Sequence, residues 1–136
     1  MKRREARKHI FNLVFQTEFQ EEVNTDEIIA TYNEEYADLS KDTAGYIEHE
    51  YKDIVKNIED IDAVIDSFSI GWRVDRLPKT DLAILRIGVY EIMFNDDIPD
   101  GVAVNEAVEL SKSFSDGKAP SFINAVLVKV AGSRGK

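Results

Sequence analysis

Apolar residues along this chain recur three and four positions apart, and no stretch shows the strict apolar–polar alternation of a half-buried strand. That spacing builds a series of helices with one apolar stripe each, and it gives a sheet nothing to form from. Ala6, Ile10, Leu13, Val14 and Thr17 line one side of a helix from about residue 3 to residue 20. Thr25, followed by Asp26 and Glu27, is placed to cap a second helix carrying Ile28, Ile29, Tyr32, Tyr36 and Leu39. A third holds Tyr46, Ile47, Tyr51, Ile54, Val55 and Ile58, and a fourth holds Ile61, Val64, Ile65 and Phe68, with Gly71 as its stop.

The stretch from Trp72 to Lys79 contains Pro78 and reads as a connector, with room for one helical turn near Val74. A sub-domain boundary is expected there, near residue 75. Thr80 then caps a long helix through Leu82, Leu85, Val89, Ile92 and Met93, which Asn95-Asp96-Asp97 ends before Pro99. Val104, Ala107, Val108, Ser111 and Phe114 mark another helix, stopping at Asp116-Gly117. The last begins near Pro120 and runs through Ile123, Val126, Leu127 and Val130. The expectation is an all-α domain over residues 1–136 with about seven helices. Its sub-bundles should span about 1–75 and 76–131, and residues 132–136 should fray.

A chain of 136 residues is long enough for one compact core. It contains no cysteine, which excludes disulfides, thiolate metal sites and thiol nucleophiles and suits a reducing cytoplasm. The apolar run after the basic start covers only Ile10 to Phe15 and is broken by Asn12, too short for a signal peptide core. No stretch of about 18 apolar residues could span a bilayer. The expectation is a soluble, unexported, cytoplasmic protein with no membrane partner.

Charge is segregated. The formal net charge is -9, yet Lys2, Arg3, Arg4, Arg7 and Lys8 crowd the first turns, offset only by Glu5. That segment is +4, so residues 9–136 carry -13. Cations at a helix N-terminus oppose the macrodipole by roughly 0.3–1 kcal/mol each, and a phosphate ligand would reverse the sign. At 100° per residue Arg3, Arg7, Arg4 and Lys8 fall within about 140° of one another, on one face. The segment is either a solvated terminus or a nucleic-acid contact. In the second case single-stranded RNA fits better than duplex readout, because no helix-turn-helix or zinc-finger pattern is present.

Phe11, Phe15 and Phe19 form a second stripe on the same helix, roughly opposite the first. Either the helix packs on two sides, or these rings form a docking surface for another protein. Phe122, beside Ser121 and Asn124, is either a core residue or an aromatic presented at a helix start to stack on an unpaired base. Catalytic signals are lacking: His9 and His49 stand alone, and the glycines form no phosphate-cradling loop. A calcium loop starting at Asp96 would need a bidentate glutamate where Ala107 stands. Neither an enzyme nor a cofactor or metal site is expected.

The stretches LAILRIGVYE, VNEAVEL and FINAVL, together with the opening RREARKHIFNLVFQTEF, strongly resemble the bacterial NusB family of transcription antitermination factors, over essentially residues 2–131. The resemblance implies an all-helical fold of two perpendicular sub-bundles. It implies an RNA-binding adaptor that holds the boxA element of nascent ribosomal RNA together with NusE, a small-subunit ribosomal protein, within an RNA polymerase antitermination complex. Carried onto this chain, it implies phosphate contacts at Lys2, Arg3, Arg4, Arg7 and Lys8, and a base contact at Phe122 with Asn124 nearby. It implies a NusE-facing surface using Phe15, Glu18, Asp81, Arg86 and Glu91. Ser121 and Ala125 depart from the family pattern, in which lysine and glycine are usual, and the first removes one potential phosphate contact. Two other readings stay open: a protein-binding scaffold or homodimer with an incidental basic start, and an accessory module of an RNA-modifying system.

Overall fold

Eleven consecutive residues, Leu82 to Ile92, are buried along one helix, and the second half of the molecule is arranged around them. The computed structural model describes residues 3–134. Seven α-helices and no strand occur among the described residues: α1 Arg3–Thr17, α2 Thr25–Glu35, α3 Lys41–Lys56, α4 Ile58–Phe68, α5 Lys79–Met93, α6 Asp100–Phe114 and α7 Ala119–Ser133. A single 3₁₀ turn, Val74–Arg76, lies in the connector where one helical turn was expected.

The helix starts differ in detail from the sequence reading. Asn24, not Thr25, caps α2, its side-chain oxygen accepting from the Glu27 N–H at 3.1 Å. Pro78, not Thr80, flanks the start of α5. Gly117, with φ of +57°, turns the chain from α6 toward α7.

Contacts divide the chain into two units, Met1–Lys56 and Asn57–Lys136. The break therefore falls one helix earlier than the position near residue 75 expected from composition. The reason is α4, which buries Ile61 and Ile65 and packs on α5 and α7. Asp62 of α4 also accepts a bidentate pair of hydrogen bonds from Arg86 of α5, at 2.9 and 2.8 Å.

In the first unit α1 packs on α3. Ala6, Ile10, Leu13 and Val14 are buried, as are Ile47, Tyr51 and Ile54. Thr17 donates to the Leu13 carbonyl at 2.8 Å and is hydrogen-bonded to the Tyr51 hydroxyl, so both buried polar groups are satisfied. In the second unit α5 packs against α4, α6 and α7. Gly88 permits the approach of α7, since a Cβ there would lie 2.5 Å from Leu127 Cδ1. Of the tail expected to fray, residues 135–136 lie outside the described residues, while α7 continues to Ser133 and Arg134 reaches Asp96 at 3.0 Å and Asp100 at 3.8 Å.

Candidate nucleic-acid interface

Each unit presents one cation-bearing surface with an aromatic component. In the first unit it is the start of α1. Lys2 lies outside the described residues. Arg3 and Arg4 are exposed, and Lys8 is half-buried beside Glu5 at 3.7 Å. Arg7 is a correction to the expected face, because only 4% of it is exposed. On the helical wheel its direction falls between those of Phe11 and Val14, both buried, so the apolar side of α1 carries Arg7 inward. Arg3 has its guanidinium carbon over the Tyr46 ring, 4.3 Å from the centroid.

Behind these cations stands an aromatic cluster. His9 Nδ1 meets the Tyr32 hydroxyl at 2.5 Å, and its ring packs edge-on against Tyr36 at 4.9 Å. Burial pushes the Tyr32 phenol up to about 12, outweighing the lowering effect of its hydrogen bond with Asn12. His9 is thus placed structurally, tying α1 to α2, rather than offered to a ligand.

In the second unit Phe122 sits in the first turns of α7 and lines a groove of about 330 Å³. Its lining is aromatic at Trp72 and Phe122, apolar at Leu77, Pro78 and Ala119, and polar at Lys118 and Asp81. Trp72 is 51% exposed, a large apolar surface to leave in water. A tight turn presents it: Gly71 adopts φ of +86°, the Trp72 N–H donates to the Ser69 carbonyl at 3.0 Å, and Ser69 Oγ donates to the Trp72 carbonyl at 2.6 Å. Asp66 fixes the chain beyond the turn by accepting from the Val74 N–H at 2.8 Å. Asp81 accepts from Ser115 Oγ at 2.7 Å, which joins the start of α5 to the end of α6.

Asn124 is exposed on α7 but does not line the groove. Trp72 and Lys118 were missed by sequence reasoning. The available signals were a lone tryptophan after a glycine in a polar connector, and a lysine immediately before a helix start.

The residues expected to form one protein-binding surface differ in exposure. Phe15 is half-buried, stacked on Phe11 at 5.8 Å and edge-on to Phe19 at 5.2 Å. Exposure rises along this stripe from Phe11, which is buried, to Phe19, which is 62% exposed, so the rings are partly core and partly surface. Glu18 is half-buried and Asp81 belongs to the groove. Arg86 and Glu91 are corrections: they are 6% and 1% exposed, within the fully buried run of α5. An ionic group inside an apolar helix is held by a structural partner, and Asp62 serves Arg86 in this way.

Comparison with known proteins decides the family, since the NusB family model matches residues 4–132. The chain belongs to the NusB family. A transcription antitermination protein NusB from Acetivibrio thermocellus is 45% identical over 96% of this chain and 88% of its own length. Another from Natranaerobius thermophilus is 44% identical over 100% of this chain and 99% of its own. Among solved structures, NusB from T. maritima superposes with a TM-score of 0.90 at 27% identity, covering 100% of this chain and 94% of that one. A NusB chain from a complex of the antitermination factors NusB and NusE with double-stranded RNA superposes with a TM-score of 0.86 at 29% identity, covering 96% of each chain.

The all-α class and the NusB resemblance read from the sequence are thereby borne out, and the chain is a member of a family of transcription antitermination factors. Among the described residues no helix is long and apolar enough to cross a membrane.

Proposed function

We propose that this protein is an RNA-binding adaptor in transcription antitermination, working in the bacterial cytoplasm with a NusE partner to keep RNA polymerase elongating, and that it catalyses no reaction. The observation that carries the reading is the groove of Trp72 and Phe122 with Lys118 beside it, in a NusB-family chain that is otherwise acidic. Two aromatic side chains lining one groove, with a cation among its lining residues, suit an unpaired base and its phosphate. The exposed Arg3 and Arg4, with Lys8, add phosphate contacts at the start of α1, where the helix dipole reinforces them. Lys2 belongs with them by sequence.

Protein docking is assigned to Phe15, Glu18 and the exposed Phe19 in the first unit. Such a surface fits NusE, because an RNA site built from a few cations gives modest affinity alone and a second RNA-contacting subunit supplies avidity. The solved NusB–NusE complex with RNA supports this assignment of partner.

The test is fluorescence anisotropy of a labelled boxA-type single-stranded RNA, with and without NusE, against a scrambled RNA. Selective binding strengthened by NusE is expected. Trp72→Ala and Phe122→Ala should each weaken it by about 1–3 kcal/mol, the worth of one stacked base. Failure of both RNAs to bind, with NusE present, would overturn the adaptor reading in favour of a protein scaffold.

A further inference from the structure

We infer that Arg3 and Tyr46 together form a second base-stacking site for single-stranded RNA, in the first unit, with Tyr46 as the positioning residue on which the Arg3 guanidinium rests. This inference rests on the RNA-binding reading and deepens it. It adds a base contact to the charge that Arg3 already contributes.

Arg3 lies in the first turn of α1 and is exposed, yet it is not a free-swinging charge. Its guanidinium carbon sits over the Tyr46 ring at 4.3 Å from the centroid, within the range of a cation–π contact. Tyr46 is itself held through its hydroxyl. It is half-buried on α3, and its hydroxyl donates to Glu50 Oε1 at 3.2 Å, one turn further along the helix. Glu50 is 1% exposed, so the base of the stack is anchored in the interior of the molecule. From the inside outward the order is buried carboxylate, half-buried ring, exposed guanidinium. A guanidinium laid on an aromatic ring is planar and delocalised, and it loses little further rotamer freedom when a nucleobase adds to it. Arginine planes are used in this way to stack unpaired bases. Arg4 and Lys8 stand on the same helix end, where they can take the phosphates flanking that base.

The alternative for Arg3 is a point charge for phosphate, and chemistry separates the two. Arg3→Lys keeps the charge but removes the plane. As a stacking platform, Arg3→Lys should weaken boxA-type single-stranded RNA by about tenfold with the log–log salt slope unchanged, the loss expected for one base stack. A point charge would lose nothing. Tyr46→Leu should give a similar loss, and Tyr46→Phe, which keeps the ring, should retain most of the affinity. Circular dichroism melts confirm folding, and Tyr46→Phe keeps the test valid if Tyr46→Leu is destabilised. A duplex of the same sequence, with no unpaired base, should be insensitive to Arg3→Lys. Wild-type affinity in both Arg3→Lys and Tyr46→Leu would overturn the stacking site and leave the adaptor function standing. Absence of binding by the wild-type protein would instead remove both.

Discussion

Replacing exposed and buried arginines of the same helix should separate two roles that the sequence merges. In the triple variant Arg3→Ala, Arg4→Ala, Lys8→Ala, three cations leave the α1 surface. Each phosphate neutralised on a single strand contributes about 0.7 to the slope of log affinity against log salt. The triple variant should therefore flatten the slope by about 2. Between 50 and 200 mM salt this is roughly a twentyfold smaller loss of affinity than the wild-type protein suffers. Arg7→Ala should behave in the opposite manner. Arg7 is 4% exposed and in contact with the interior, so its removal deletes packing and a buried polar contact and releases no counterion from RNA. The expected cost is about 1–3 kcal/mol in urea unfolding, with the salt slope of the remaining folded protein unchanged. Anisotropy titrations at four salt concentrations and one denaturation series per variant are sufficient. An Arg7→Ala slope as flat, per cation removed, as that of the triple variant would refute the buried assignment and restore Arg7 to the RNA face.

Asp62→Ala should cost about 3 kcal/mol in urea unfolding, because it leaves the 6%-exposed Arg86 charged and without its bidentate partner; a change below about 1 kcal/mol would show that water replaces the carboxylate. Stability should also respond to alkali through Tyr32. Its phenol titrates near 12 in the fold against 10 when unfolded, so above pH 10 only the unfolded state releases the proton. Its stabilising contribution is complete below pH 10 and declines as pH rises toward 12. Tyr32→Phe should unfold less steeply with pH across that window in thermal melts, and an identical pH dependence would remove Tyr32 as the cause.

The helices were legible because each buries a stripe that repeats at helical period, and α5 was legible twice over, since Leu82 to Ile92 is almost continuously apolar. Burial of Arg86 and Glu91 was implied by the same run, for a charge embedded in it has nowhere to face but inward. The resemblance pointed instead to a docking role, and the local pattern proved the better guide. Arg7 illustrates the converse. Grouping cations by helical angle put four on one arc, but that arc overlaps the directions of Phe11 and Val14, and apolar burial on both sides carried Arg7 with it. The unit boundary was not legible, because the stripe of α4 fits a helix on either side of it. Ion pairing between Asp62 and Arg86 and packing on α5 and α7 assign it to the second unit. Trp72 was invisible as a site residue since its position depends on the turn at Gly71 and on the start of α7, segments distant in sequence.

The segregated charge also explains how so acidic a protein can hold RNA at all. Residues 9–40 contain eight carboxylates and no lysine or arginine, and they lie in the same unit as the basic start. Helix α1 keeps three of them apart: at 1.5 Å per residue the axial distance from Arg3 to Thr17 is about 21 Å, and Glu18, Glu21 and Glu22 follow beyond that end. The Debye length is only about 8 Å at physiological salt, so a phosphate at the start of α1 senses Arg3, Arg4 and Lys8 and little of the acidic end. Near 10 mM it lengthens to about 30 Å and the carboxylates enter the field. A salt series from 50 mM upward therefore counts local cations. The carboxylates themselves disfavour indiscriminate binding along the rest of the acidic surface, so the proposed function places affinity where cations and aromatic rings coincide, at Arg3 with Tyr46 and at Lys118 with Trp72 and Phe122. On that proposal selectivity for unpaired bases follows from the coincidence, because phosphate contacts alone carry no base information.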